Sequence, residues 1–129
     1  MSEKFTVEII TPDKSLLKSE AAEVTIPSYE GQMGILKDHI PLITFLRPGV
    51  ISIKGQENKK YYVEEGTVEF LNDNLLILTS KARDLNNLNK SSVDNLISEA
   101  EKKLSDNNYS DKEKYLLSYK ISTLKEINQ

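Results

Sequence analysis

Short runs of alternating apolar and polar residues fill the first two-thirds of the chain. Phe5, Val7 and Ile9 alternate with Thr6, Glu8 and Ile10, which is the pattern of a half-buried strand, and Pro12 closes it. Further short strands are predicted around Leu16-Leu17, through Val24 and Ile26, and from Val50 to Lys54. After the polar turn Gly55-Gln56-Glu57-Asn58 come Tyr61 to Glu64 and Gly66 to Leu71, then the turn Asn72-Asp73-Asn74 and the apolar run Leu75 to Leu78. Strands this short and evenly spaced must each bury one face against a second sheet. They predict an antiparallel β-sandwich or barrel for residues 1–84.

The period changes after Asp84. Residues 81–90, with Leu85-Asn86-Asn87-Leu88-Asn89 in their middle, replace β-branched residues by asparagines and read as a linker. Ser91 followed three residues on by Asp94 is a helix-start signal, and Val93, Leu96, Ile97, Ala100 and Leu104 share one helical face. Ser105-Asp106-Asn107-Asn108 breaks that helix. Ser110 with Glu113 forms a second capping-box candidate, after which Leu117, Ile121, Leu124 and Asn128 recur at helical spacing. Helices of about 15 residues depend on packing an apolar face, so each stripe must meet the other, the sandwich or another protein. The fold class expected is α+β: an N-terminal antiparallel β-sandwich (1–84) followed by a C-terminal two-helix hairpin (85–129).

Between these patterned regions, the stretch from Ile26 to Val50 concentrates backbone specification. It holds three of the five glycines, three of the four prolines and the only histidine. A plain helix is excluded there. Gly31 and Gly34 read as turn or bulge glycines, and Pro48-Gly49 suits the central positions of a type II turn, giving a shaped β-loop-β unit. Gly34, Pro41, Pro48 and Gly49 are therefore expected to shape the backbone.

Pro27, Glu30, Gly31, Gly34, Ile35, His39, Pro41, Leu42, Ile43, Thr44, Leu46, Pro48, Gly49 and Val50 meet, without a gap, the pattern Pro-x-x-Glu-Gly-x-x-Gly-Ile-x-x-x-His-x-Pro-Leu-Ile-Thr-x-Leu-x-Pro-Gly-Val. On these residues, and on Phe5 to Pro12 and Gly66-Thr67-Val68-Glu69-Phe70, the chain resembles the epsilon subunit family of F-type ATP synthases, called delta in mitochondria. The last third matches in architecture only. The resemblance implies a non-catalytic part of the central stalk that turns with the gamma subunit and the ring of c subunits during proton-driven ATP synthesis. It implies ring contacts at Glu30, Gly31, Gln32 and His39, with Gln32 standing where the family often has an acid. An exposed ion pair is worth only about 0–1 kcal/mol, so that exchange leaves coupling to shape and buried contacts.

In many bacterial members the hairpin extends along gamma, reaches alpha and beta, and blocks ATP hydrolysis. Some members hold ATP through a motif resembling Leu-Asp-x-x-Arg-Ala and a basic residue on the second helix. Here the motif reads Leu85-Asn86-Asn87-Leu88-Asn89-Lys90, leaving Asn86 and Lys125, with Lys90 nearby, as weak candidates. A lysine lacks the planar fork with which arginine grips phosphate, so no nucleotide and no other cofactor is expected.

Composition narrows the alternatives. A length of 129 residues with 38% apolar content fits one modest core and an appendage. The net charge of −3 is spread without a basic cluster, which argues against nucleic acid. No cysteine is present, and the single His39 beside Asp38 has no second histidine to build an acid/base site or a metal site with. No apolar run approaches the roughly 20 residues that span a bilayer, and Met1 to Ile10 carry no export signal. The expectation is a peripheral protein on the cytoplasmic face of the bacterial inner membrane, held by protein partners without membrane insertion. The rival readings are a free-standing adaptor, which would stay alone in extracts, and a small hydrolase, which needs an acid/base pair the sequence lacks.

Overall fold

Alternation decides which side chains of the first strand go inward: Phe5, Val7 and Ile9 are buried, and Thr6, Glu8 and Ile10 only half so. In the computed structural model, which describes residues 3–128, this strand is β1 (Phe5–Ile10). It is followed by β2 (Ser15–Ala21), β3 (Glu23–Ser28), β4 (Gly31–Leu36), β5 (Leu42–Leu46), β6 (Gly49–Lys54), β7 (Lys59–Val63), β8 (Gly66–Leu71), β9 (Asn74–Thr79) and β10 (Ala82–Asp84). Two helices complete the chain, α1 (Lys90–Leu104) and α2 (Asp111–Ile127). The strand order is β10-β7-β6-β3-β5-β8-β9-β1-β2, with β4 paired to β3. The sheet folds over on itself as a sandwich, and its core is built wholly from strand residues, with Phe5 meeting Phe70 edge to face at 5.5 Å.

The sandwich is antiparallel, as expected, except at one seam. β1 runs parallel to β9, from Thr6 beside Asn74 to Ile10 beside Leu78. Alternation reports which face of a strand is buried and carries no information on the direction of its neighbour. β2 extends well past Leu16-Leu17, pairing with β1 along its length and exposing Lys18 and Glu20 as a charged edge strand.

Turn chemistry holds where it was readable. Asn72 and Asp73 take positive φ values of 51° and 58° between β8 and β9, the left-handed conformation that two-residue hairpins require. The stretch from Ile26 to Val50 is richer than one β-loop-β unit. It contains the β3–β4 hairpin turning at Tyr29-Glu30, then a loop, then β5.

The stretch 81–90 carries short elements of its own. β10 pairs with β7, and a 3-10 turn at Leu85–Asn87 follows, its first turn capped by Asp84 Oδ1 accepting from the Asn86 backbone N–H at 2.9 Å. Leu85 and Leu88 hold it down by packing into a second apolar cluster centred on Tyr62, Val93 and Leu124. The start of α1 also differs: Asn89 Oδ1, not Ser91, caps it, accepting from the Ser92 N–H at 2.8 Å. Both residue types are good caps, and the half-buried Leu88 directly precedes the one used. At α2 the capping box is as expected. Ser110 Oγ accepts from the Glu113 N–H, and Glu113 Oε1 accepts from the Ser110 N–H, each at 3.1 Å.

Candidate functional site

The β3–β4 turn is built by Ser28. Its hydroxyl is fully buried, donates to the Gly31 carbonyl at 2.7 Å and accepts from the Glu30 N–H at 3.2 Å. Gly31 follows with φ of 118°, a conformation side chains rarely adopt, and Glu30 and Gln32 project into solvent. This turn lies at the end of the sandwich that also carries Arg47-Pro48 and Glu64-Glu65: the Arg47 N–H donates to the Pro27 carbonyl, and burial, reinforced by the nearby Glu65, pushes the Tyr29 phenol up.

His39 is not there. It follows the far end of β4, six residues and about 20 Å away at strand rise, and belongs to the opposite end of the sandwich. Its ring packs edge-on against Phe70 at 5.9 Å, its Nδ1 lies 2.7 Å from the Ile40 carbonyl oxygen, and the neighbouring Asp38 N–H donates to Asp73 Oδ1. Of the four residues that the resemblance assigns to ring contacts, Glu30, Gly31 and Gln32 lie together at this turn, and β4 separates them from His39.

The residues expected to shape the backbone divide in the same way. Gly49 is not the left-handed position of a type II turn, since Gly31 is the only glycine with positive φ among the described residues. It begins β6, and a Cβ there would lie 2.5 Å from Pro27 Cβ, so close packing against that proline demands glycine. Pro48, buried beside it, presents its carbonyl to Thr123 Oγ1 at 3.4 Å. Gly34 has ordinary φ, and a Cβ would meet only Glu23 Oε2 at 3.6 Å, an ordinary contact. No steric need for glycine is present at 34. Pro41 is exposed in the loop that leads into β5.

A feature the sequence reading passed over is an apolar outer face. Ile43 and Phe45 point outward from β5 with 75% and 59% of their surfaces exposed, and Leu71 and Leu78 on the adjoining β8 and β9 are exposed as well. Ile40, in the preceding loop, adds to it. These apolar side chains flank Thr67 and the exposed Glu69 of β8, and a sheet face carrying so many large exposed apolar groups is a candidate for being covered. Its signal was available: Leu42-Ile43 and Leu75-Leu76-Ile77-Leu78 are apolar on both faces, where a solvent-facing strand would alternate.

The helical hairpin sits over β6 and β7. Leu124 and Val93 close on Tyr62, and Arg47 lies 3.9 Å above the Tyr119 ring. Lys120 Nζ reaches Glu64 Oε2 at 3.1 Å, and the Tyr62 hydroxyl donates to the same oxygen at 3.0 Å. Burial, reinforced by Glu64, pushes the Tyr62 phenol well above its ordinary value. The nucleotide candidates do not converge. Asn86 lines a groove with Lys59 and Lys60 on the strand side, while Lys125 lies on α2 beside Glu101 at 3.7 Å and does not line that groove. No group of three or more metal-binding side chains occurs among the described residues, and no helix among them is long and apolar enough to cross a membrane.

Comparison with known proteins places these features in a lineage. The family model for the ATP synthase delta/epsilon chain β-sandwich domain matches residues 4–84. The ATP synthase epsilon chain of Pelagibacter ubique is 46% identical over 132 residues, covering 99% of this chain and all of the relative. That of Parvibaculum lavamentivorans is 31% identical over 129 residues, covering 98% and 97%, and that of Rhizobium etli is 32% identical over 108 residues, covering 82% and 80%. In fold, the chain is similar to one in the cryo-EM structure of the Euglena gracilis mitochondrial ATP synthase OSCP/F1/c-ring, with TM-score 0.75, 19% identity and coverage of 95% of this chain and 78% of that one. A chain of the Tetrahymena thermophila mitochondrial ATP synthase central stalk and c-ring gives TM-score 0.64 at 14% identity, covering 99% and 98%.

Proposed function

The chain belongs to the ATP synthase delta/epsilon family, and from that premise we propose how its surfaces are divided within the enzyme. It is an epsilon-type subunit of the F-type ATP synthase central stalk, and the observation that carries this is the full-length similarity to the Pelagibacter epsilon chain. Its role is non-catalytic: it transmits rotation of the c-ring, driven by protons, to the catalytic part of the complex. It works at the cytoplasmic face of the bacterial plasma membrane, joined to the membrane through its partners.

The exposed apolar face of Ile43, Phe45, Leu71 and Leu78 docks against the gamma subunit, because a rotor joint that transmits torque needs buried area more than exposed charges. The turn Tyr29-Glu30-Gly31-Gln32 meets the polar loops of the c-ring. Gly31 sets the turn, while Glu30 and Gln32 supply one charge and one neutral hydrogen-bonding group. The hairpin restrains ATP hydrolysis when it leaves the sandwich and reaches toward alpha and beta. No nucleotide enters this scheme, since Asn86 and Lys125 lie apart.

The test uses the full chain reconstituted with the remaining subunits. Ile43→Asp combined with Phe45→Asp places two charges on a face that is already in water, so the melting temperature of the free chain stays within about 2 °C of the parent. Its retention by gamma falls by at least about tenfold. A cysteine at Glu30 cross-links to the c-ring, and one at His39 does not. Undiminished retention, or cross-linking from both positions to the ring, contradicts the assignment.

A further inference from the structure

Of the three ion pairs among the described residues, one is shielded from water. Lys54 with Glu23 and Lys125 with Glu101 are exposed at 3.5 and 3.7 Å, whereas the side chains of Lys120 and Glu64 keep only 15% and 12% of their surfaces exposed. This pair joins the two parts of the molecule, since Glu64 follows β7 and Lys120 lies in the middle of α2. Glu64 is held from the sandwich side by the hydroxyl of the fully buried Tyr62, on the same oxygen that meets Lys120.

Little else fixes the seat of the helices. The sandwich core contains no helix residue, and the apolar contact between the parts rests on the small cluster of Tyr62, Val93 and Leu124 with its half-buried surround and on the half-exposed rings of Tyr29 and Tyr115, 6.0 Å apart. The other polar ties are weaker in kind: a 3.4 Å hydroxyl contact from Thr123 to Pro48 and the Arg47–Tyr119 stack.

We propose that Glu64, oriented by Tyr62, is the latch of the helical hairpin, with Lys120 as the counter-charge that engages when the helices are seated on the sandwich and leaves when they lift. This rests on the reading of the hairpin as the regulatory part of the subunit. The physical case is one of balance. Docking removes both charges from water, and their attraction roughly offsets that cost, so the pair fixes the seated position without making it irreversible. An apolar contact of the same size would hold more tightly. Removing only Lys120 leaves Glu64 shielded without its counter-charge, so the seated state bears the desolvation cost alone and opens. A cavity of about 180 Å³, lined by Glu64, Glu65, Lys103, Tyr109 and Glu113 among others, opens beside the pair, so water reaches it before any strand moves.

The test is hydrogen exchange on the full chain. In Lys120→Met, the amides of the middle of α2 lose protection by about tenfold or more, while those of β1 and β9 keep theirs. Glu64→Gln, which preserves shape and the contact with Tyr62, shifts the same amides in the same direction. Lys125→Met, which removes the exposed pair, changes α2 protection by less than about twofold. Unchanged α2 protection in Lys120→Met, or a parallel loss in β9, overturns the latch. In the reconstituted enzyme Lys120→Met also lowers ATP hydrolysis, because the freed hairpin extends more often. Exchange that responds while hydrolysis does not would uphold the latch and remove the regulatory reading instead.

Discussion

A Cβ at Gly66 would lie 2.8 Å from the Thr79 Cα and nearer still to the Leu78 carbonyl oxygen, and neither backbone atom can swing aside. At Gly34 the same atom meets only the end of a flexible glutamate. Gly66→Ala is therefore expected to destabilise the fold by about 1–3 kcal/mol, as overpacking does. Gly34→Ala should be neutral, or stabilising by up to about 1 kcal/mol, since glycine in a strand carries an entropic cost. Urea unfolding of both variants checks this, and equal losses would refute it. These two glycines also mark how far single residues were legible. Asn72 and Asp73 were readable because their conformation is set within the turn they form. Gly49 was misread as a turn residue because its requirement comes from Pro27, on a strand 22 positions earlier in the chain. Ser28 gave no local signal at all, since its buried hydroxyl answers a turn whose geometry exists only once β3 and β4 have paired.

Strands and helices were legible wherever one periodic face had to be buried, which is why nine of the ten strands fall within or against predicted apolar runs or the shaped central stretch. β10 escaped because three residues, Ala82–Asp84, are too few to show a period, and pairing with β7 alone defines them. That pairing lies inside the expected sandwich of residues 1–84 and bears on how a truncation should be cut. A chain ended at Arg83 would clip β10 and lose the Asp84 cap, whereas one ended after Leu88 keeps both. Residues 1–88 are expected to unfold in urea as one cooperative transition, because the core holds no helix side chain, with the uncovered Tyr62 ring as the main loss. A product that binds hydrophobic dyes and melts without cooperativity would show instead that the hairpin is part of the folding unit. At the second helix the cap was read correctly because both halves of the box lie within four residues. There the hydrogen bonds from the Ser110 backbone and side chain also draw the Glu113 carboxyl below its usual range.

Taken as one body, the molecule separates its surfaces: an apolar face on β5, β8 and β9, a turn at one end, and a hairpin seated over β6 and β7. The groove that Asn86 lines with Lys59 and Lys60 does not include Lys125, which lies beside Glu101 on α2, so we expect at most weak nucleotide binding. Calorimetric titration of ATP into the full chain should find no binding tighter than millimolar, on the order of 4 kcal/mol, and a micromolar constant would contradict that. The apolar outer face was the part of the candidate surface hidden from motif reading, because partner contacts follow from burial left unsatisfied and not from any residue's chemistry. The parallel seam between β1 and β9 carries a further consequence, for synthesis. β1 is made eight strands before its seam partner β9, so some 65 residues must follow it before the sandwich closes, and this long-range pairing makes folding slow relative to a chain of local hairpins. Until then the edge of β1 that β9 will pair is open, with Val7 and Ile9 along that strand, and prompt arrival of β9 closes this edge against pairing with another chain.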